Sequence, residues 1–389
     1  MGAAMSPLIG GEQALIPVSV LTGFLGSGKT TLLNHLVRMP ELRRALVIIN
    51  EFGAVGLDHD LIARSNEDMV VEMMGGCLCC TIRGDLRATL RDAPWRFARE
   101  GSCWFDRVVI ETTGLADPAP ILHTLMTDPQ LRTLYRLDGV ITTVDAANGM
   151  ATLDTQEEAV RQAAVADRIV LTKTDLLSTD AQHEIAARLR TINPAAPILP
   201  VLQGVIEPDR LFDAGLYNPE TKSNDVRRWL NAEAYADGHG HGHGAHHHHD
   251  HDHHHHDVDR HDDHIRATCL TFGAPLRAEA FERWIDILTS LKGADILRVK
   301  GIVHLLDHPK PVVVHGVQHL FHRPVELDEW PSGDRRTRLV FITRDITADQ
   351  LRGTLSLMTI GLERFGLQGL VESIPAPGVP GGAVGGGWA

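Results

Sequence analysis

Several absences narrow the field before any motif is read. No uninterrupted apolar run in the 389 residues approaches the roughly 20 needed to span a bilayer, so a membrane-spanning chain is excluded and no membrane partner is expected. The first residues lack the basic start and apolar stretch of a secretory signal. Met1-Gly2 with Ser6 has the spacing of a myristoylation signal, but nothing nearby supplies the second anchor that stable attachment needs. Positive charge is also short. There are 37 Lys and Arg against 50 Asp and Glu, a formal net charge of −13, which argues against nucleic acid as the main partner. Six of the acids lie among histidines at 238–264, so the rest of the chain is less extreme. Cysteine is scarce and odd in number: five in all, three of them crowded at Cys77, Cys79 and Cys80. Without an export signal this excludes a disulfide framework, and it points to metal or redox chemistry in a reducing cytosol.

What is present is an alternation. The chain is too long for one ordinary core and long enough for two. After a loose leader (1–14), short apolar runs at 18–21, 45–49, 107–110, 139–144, 168–171 and 198–201 alternate with stretches of helical periodicity such as 182–191. That pattern predicts an α/β fold over 15–215, a mostly parallel sheet covered by helices on both faces. A linker (216–264) follows, holding fourteen of the 23 histidines, a composition that cannot bury apolar surface. Regular patterning resumes with a strand at 265–272 and a helix at 278–291. Strands near 296–306, 311–317 and 338–343 and a helix at 348–360 complete it. Paired strands outnumber helices, so a smaller α+β domain with an antiparallel sheet is expected over 265–373, with a glycine-rich tail at 374–389. No internal repeat is visible.

Gly23-Phe24-Leu25-Gly26-Ser27-Gly28-Lys29-Thr30 fits the G-x-x-x-x-G-K-T phosphate loop, directly after a strand and before a helix. Glycines let the backbone curl until successive N–H groups of Gly23, Gly26, Ser27 and Gly28, with Thr30 and Thr31 beyond them, face one anion. The helix N-terminus adds its positive end. Lys29 is expected to reach the outer phosphates and Thr30 to hold magnesium. Three further pieces fall in order. Residues 50–58 follow the second strand, where a loop sensing a terminal phosphate would sit. Glu111-Thr112-Thr113-Gly114 ends the third, with Glu111 a magnesium carboxylate acting through water and Gly114 a backbone donor to the γ-phosphate. Thr172-Lys173-Thr174-Asp175 ends a later strand, and Asp175 is placed to accept from the two donors that guanine has and adenine lacks. The usual asparagine is replaced by Thr172, whose shorter hydroxyl can still bond the neighbouring loop. Gln203-Gly204 is the candidate for a remaining base-contacting loop. No water-positioning glutamine or arginine finger is evident, so stabilisation is assigned to Lys29, the backbone amides and magnesium. A GTP hydrolase is the expectation.

Gly75-Gly76-Cys77-Leu78-Cys79-Cys80 places three thiols on a tight turn. Thiolates favour zinc, cobalt or cuprous copper, and zinc commonly takes three cysteines and one more ligand. Glu51 is the candidate for that ligand. The turn lies between the first phosphate-sensing segment and the strand ending in Glu111, so metal and γ-phosphate would share one moving region. The tract containing His246, His247, His248 and His249 suits weak multi-site capture of divalent ions, falling off as pH drops through about 6.5. Cys103 and Cys269 are isolated and read as core packing. His304, His308, His315, His319 and His322 read as folded surface.

Together these motifs resemble the CobW-type P-loop GTPases: G-F-L-G-S-G-K-T-T at 23–31, N-E-F-G at 50–53, G-G-C-L-C-C at 75–80, E-T-T-G-L-A-D-P at 111–118 and T-K-T-D at 172–175. Phe272…Pro275-Leu276 and Leu297-Arg298-Val299-Lys300-Gly301 extend the likeness into the C-terminal part. Family members often carry an acidic residue after N-E-F-G, where this chain has Ala54. The resemblance implies zinc or cobalt at the three cysteines, low intrinsic GTPase activity and delivery of metal to a client metalloprotein, by a monomer or homodimer. Other readings are a metal buffer in which the histidine tract does the work, a cobalt-delivery GTPase of cobalamin synthesis, and an ATP-using kinase, against which Asp175 argues.

Overall fold

Seven strands form the larger sheet, and the apolar side chains at 18–21, 46–49 and 108–110 alternate between two cores. The computed structural model describes residues 15–51, 70–74, 80–212, 264–306, 308–321, 324–331 and 333–355. In chain order the first half contains β1 (Ile16–Gly23), α1 (Lys29–Leu36), β2 (Ala45–Glu51), β3 (Val70–Met74) and α2 (Cys80–Arg96). There follow the small antiparallel pair β4 (Ala98–Arg99) and β5 (Ser102–Cys103), then β6 (Arg107–Thr112), α3 (Ala119–Thr127), α4 (Leu131–Leu134) and β7 (Tyr135–Asp145). The half closes with α5 (Gly149–Thr155), α6 (Glu157–Val165), β8 (Arg168–Thr172), α7 (Thr179–Ile192) and β9 (Ile198–Val201).

The sheet order is β3-β2-β6-β1-β7-β8-β9, and every neighbouring pair is parallel. Period two decides the packing. Val18, Val20, Leu46, Ile48, Val108 and Ile110 face the core under α2 and α3, whereas Leu21, Val47, Ile49 and Val109 face the core under α1. Parallel strands buried on both faces read as near-continuous apolar runs, which is why the sequence located them. Because all run the same way, their carboxyl ends lie along one edge, and that edge carries the site.

The second half contains β10 (Ile265–Phe272), α8 (Ala278–Lys292), β11 (Ile296–Val303), β12 (Val312–Val317), β13 (Leu320–Phe321), β14 (Val325–Glu326), β15 (Thr337–Arg344) and α9 (Ala348–Gly353). Its sheet runs β10-β15-β11-β12-β13, with β14 also on β12, and all its pairings are antiparallel. Trp284 of α8 is fully buried against Phe281 and Phe341. The helix expected over 348–360 is formed from Ala348 to Gly353, and its expected end lies outside the described residues.

The two halves share a core. Ile265, Leu297 and Ile342 of the second sheet pack in one cluster with Val160, Ala163, Ile185 and Leu189 of α6 and α7. At that seam Asp167 bonds Arg298 and accepts from Lys300 Nζ at 2.9 Å, all three buried. Among the described residues no helix is long and apolar enough to cross a membrane.

Candidate functional site

The loop after β1 is curled as its glycines allow. Gly26 and Gly28 have φ of 71° and 93°, a region that favours glycine. Gly23 has φ 144°, and a Cβ there would overlap the Thr143 hydroxyl and carbonyl and stand 2.8 Å from Ser27 Oγ. Lys29 Nζ donates back to the Gly23 and Phe24 carbonyls at 2.8 and 3.1 Å. Ser27 Oγ and Thr143 Oγ1 are 2.6 Å apart. The loop is thus tied to β7 by hydroxyls and to its own start by the lysine.

Thr30 and Glu111 stand side by side: Thr30 Oγ1 donates to Glu111 Oε1 at 3.3 Å, with Glu111 buried at the end of β6. Thr112 Oγ1 donates to Thr22 Oγ1 at 2.8 Å, locking β6 to β1 just below the loop. Gly114 lies against the loop itself; a Cβ there would meet Leu25 Cδ2 and N at 2.6 and 2.7 Å.

On the other side of the loop, Thr172 occupies the end of β8. Its hydroxyl donates to the Ser27 carbonyl at 2.8 Å and to Val144 O at 3.2 Å, so it does bond the neighbouring loop. Lys173 adopts φ 55° and donates to Asp145 Oδ2 at 2.8 Å. Burial works to raise the Asp145 carboxyl, but the hydrogen bonds from Lys173 and Asn148 outweigh it and hold it below the ordinary carboxylate value. Asp175 is exposed on the following turn. Gly204, with φ 79°, sits so close to α1 that a Cβ would stand 2.8 Å from Thr31 O, so Gln203-Gly204 reaches the start of that helix next to exposed Thr31. Beside the loop, Phe24, Leu25, Asp145, Asn148, Thr152 and Gln162 help line a cavity of about 240 Å³.

The metal-binding expectation falls largely elsewhere. Cys77, Cys79, His246, His247, His248 and His249 lie outside the described residues, and Cys80 and Glu51 are described only as the first residue of α2 and the last of β2. Among the described residues no group of three or more His, Cys, Asp and Glu is arranged to hold a metal ion. The backbone register is informative nonetheless. Met74, immediately before the glycine pair, is the partner of Glu51, and Asn50 is the partner of Thr112.

One histidine departs from expectation. His315 is 4% exposed within β12, not on the surface, because it stands in the run Val312–Val317, every residue of which is buried. His304 is half-buried and packs edge-on against Trp330, and His319 is exposed, as read. His322 lies outside the described residues. Cys103 and Cys269 are partly buried beside apolar clusters, and burial pushes both thiols up. Sequence reasoning missed the strand β3, the Asp145–Lys173 pair and Gln162, whose side chain donates to the Gly114 and Ala116 carbonyls.

Comparison with known proteins agrees with this geometry. Residues 17–200 match the CobW/HypB/UreG nucleotide-binding domain, and residues 265–358 match the cobalamin synthesis protein cobW C-terminal domain. The chain is 31% identical over 346 residues to a zinc chaperone, YjiA, of Escherichia coli, covering 88% of this chain and 98% of that one. It is 33% identical over 382 residues to a zinc chaperone, CobW, of Pseudomonas aeruginosa, covering 88% and 92%. A crystal structure of Zn(II)-bound YjiA GTPase from E. coli superposes with a TM-score of 0.59 at 25% identity, over 88% of this chain and 99% of that one. With a phosphate loop closed by Lys29, a strand-end carboxylate beside Thr30 and both family regions matched, this chain belongs to the CobW/HypB/UreG family of P-loop GTPases.

Proposed function

We propose that the chain is a GTP-driven zinc chaperone, binding the ion at Cys77, Cys79 and Cys80 and releasing it to a client metalloprotein as GTP is hydrolysed. The observation that carries this reading is the register of three adjacent strands. Glu51 at the end of β2 pairs with Met74 at the end of β3, and Asn50 pairs with Thr112 at the end of β6. The thiol-bearing turn begins one residue after Met74. Met74, the last described residue before that segment, therefore stands at the edge that carries Glu111 and the phosphate loop. Zinc suits the thiolates, with Glu51 as a further ligand and cobalt the next candidate. Support also comes from the relatives, which are named zinc chaperones.

In the nucleotide site, Lys29 and the loop amides carry the β- and γ-phosphates, Gly114 senses the γ-phosphate and Asp175 selects guanine. Thr30 Oγ1 and Glu111 Oε1, 3.3 Å apart, are hard oxygen donors that fit magnesium. That ion, when bound, supplies charge neutralisation of the phosphate oxygens. The thiolates need the reducing cytosol, and the histidine tract at 238–264 gathers divalent ions weakly for the thiol site.

The test is zinc affinity, measured by chelator competition with a non-hydrolysable β,γ-imido GTP analogue or with GDP bound. The analogue should tighten zinc at least about tenfold, a coupling of about 1.4 kcal/mol, and replacing all three cysteines by serine should abolish the difference. Equal affinities in the two nucleotide states would remove the coupling.

A further inference from the structure

Residues 113–118 join β6 to α3, and one side chain of α6 holds them. Gln162 Nε2 donates to the Gly114 carbonyl at 3.2 Å and to the Ala116 carbonyl at 2.9 Å. Gln162 is 1% exposed. Its own backbone carbonyl accepts from Thr142 Oγ1 of β7 at 2.8 Å, so α6 is fastened to the central sheet at this residue. From the opposite side the segment is met by Leu25 of the phosphate loop, with no room for a Cβ at Gly114. Its far end is held as well. Asp117 Oδ1 accepts from Ala119 N at 2.9 Å, and Oδ2 accepts from Gln318 Nε2 of the second half at 3.2 Å.

The peptide unit is planar, so fixing the Gly114 carbonyl fixes the whole plane on that side of the glycine. The Gly114 N–H, which belongs to the preceding plane, can then reorient only about that residue's own φ and ψ. Among the described residues no donor reaches Gln162 Oε1, so the amide acts here through its two N–H donors alone.

The geometry points to Gln162 as the positioning residue of the γ-phosphate sensor: it sets where the Gly114 backbone stands and acts on hydrolysis through Gly114. This rests on the reading of Gly114 as that sensor. The assignment reaches beyond the local loop, because α6 packs on β11 and its Glu157 is ion-paired with Arg344 of the second sheet. The helix that grips the sensor is therefore itself seated on the C-terminal half.

Gln162→Met keeps the length of the side chain and removes both donors. Turnover of GTP should fall about tenfold, the effect of losing a buried hydrogen-bonding group. Affinity for the β,γ-imido GTP analogue should fall by a similar factor, whereas affinity for GDP, which has no γ-phosphate, should stay within about twofold. If Gln162→Met does not fold, Gln162→Asn gives the same comparison, because its amide is one methylene too short to reach both carbonyls. Equal losses for GDP and analogue would reduce Gln162 to a structural residue, and an unchanged kcat would overturn the assignment. Gly114→Ala separates the two levels. If it leaves turnover intact, the sensor reading itself falls. If it abolishes turnover while Gln162→Met does not, only the role of Gln162 falls.

Discussion

Asp167 and Lys300 meet across the seam between the two sheets, 2.9 Å apart and both almost wholly buried. Asp167 also bonds Arg298 and accepts the Val140 N–H at 3.0 Å. One carboxylate thus faces two cations. Burial alone would raise the Asp167 carboxyl, but the charges of Arg298 and Lys300 hold it well below the ordinary value. Lys300 is the surplus cation: burial and the neighbouring Arg298 push it down to about 7.

The pH dependence of stability follows from these two shifts. Lys300 holds its proton less tightly when folded than when unfolded, where lysine titrates near 10.5. Between about 7 and 10.5 the unfolded chain binds the extra proton, so stability should rise with pH across that window. Asp167 is the opposite case, and its contribution should be lost as pH falls below its ordinary value of 3.8. Urea titrations across this range should show both slopes, with the upper one absent in Lys300→Met. Asp167→Asn should cost about 3–5 kcal/mol, because two buried cations lose their counter-charge.

Thr172 is a clamp on the phosphate loop, and Thr172→Val removes its hydroxyl while keeping its shape. The Ser27 carbonyl, its partner at 2.8 Å, would lose a buried bond worth about 1–3 kcal/mol. Calorimetric titration should find GTP and GDP affinity weakened together, by about tenfold each. A loss confined to one nucleotide would contradict this account.

A substitution at Glu111 tests the magnesium role proposed for it. Glu111→Gln keeps the contact with Thr30 and removes the charge. Hydrolysis should fall by about 100-fold, and the magnesium concentration needed for half-maximal rate should rise. GDP binding measured without magnesium should be unchanged.

How far the sequence foretold this arrangement depended on the range of each interaction. The strands were legible as apolar runs, yet their expected ends fell short, at 21, 110, 144 and 171. In the structure β1, β6, β7 and β8 run on to Gly23, Thr112, Asp145 and Thr172. Most of those extra residues are polar, Thr22, Glu111, Thr112, Asp145 and Thr172, so the apolar pattern stops before the strand does. β3 escaped notice because Val70–Met74 is five residues long and carries Glu72 at its centre. The Asp167 cluster joins residues 131 and 133 positions apart, and Gln162 reaches back 48 and 46. Nothing local marks such partners. His315 was misjudged as surface although its neighbours Val312, Val313, Val314 and Val317 signalled a buried strand.

The place of β2 in the sheet has a mechanical consequence. It is bonded along one edge to β3 and along the other to β6, and strands in a sheet stand about 4.8 Å apart. The end of β3 at Met74 and the end of β6 at Thr112 therefore flank a single ribbon, separated by roughly 10 Å. A shift of that ribbon along its axis moves both through main-chain bonds, with no side chain as go-between. Communication built this way tolerates drift in the strand's residues as long as they stay apolar, and it is severed only by breaking the ribbon.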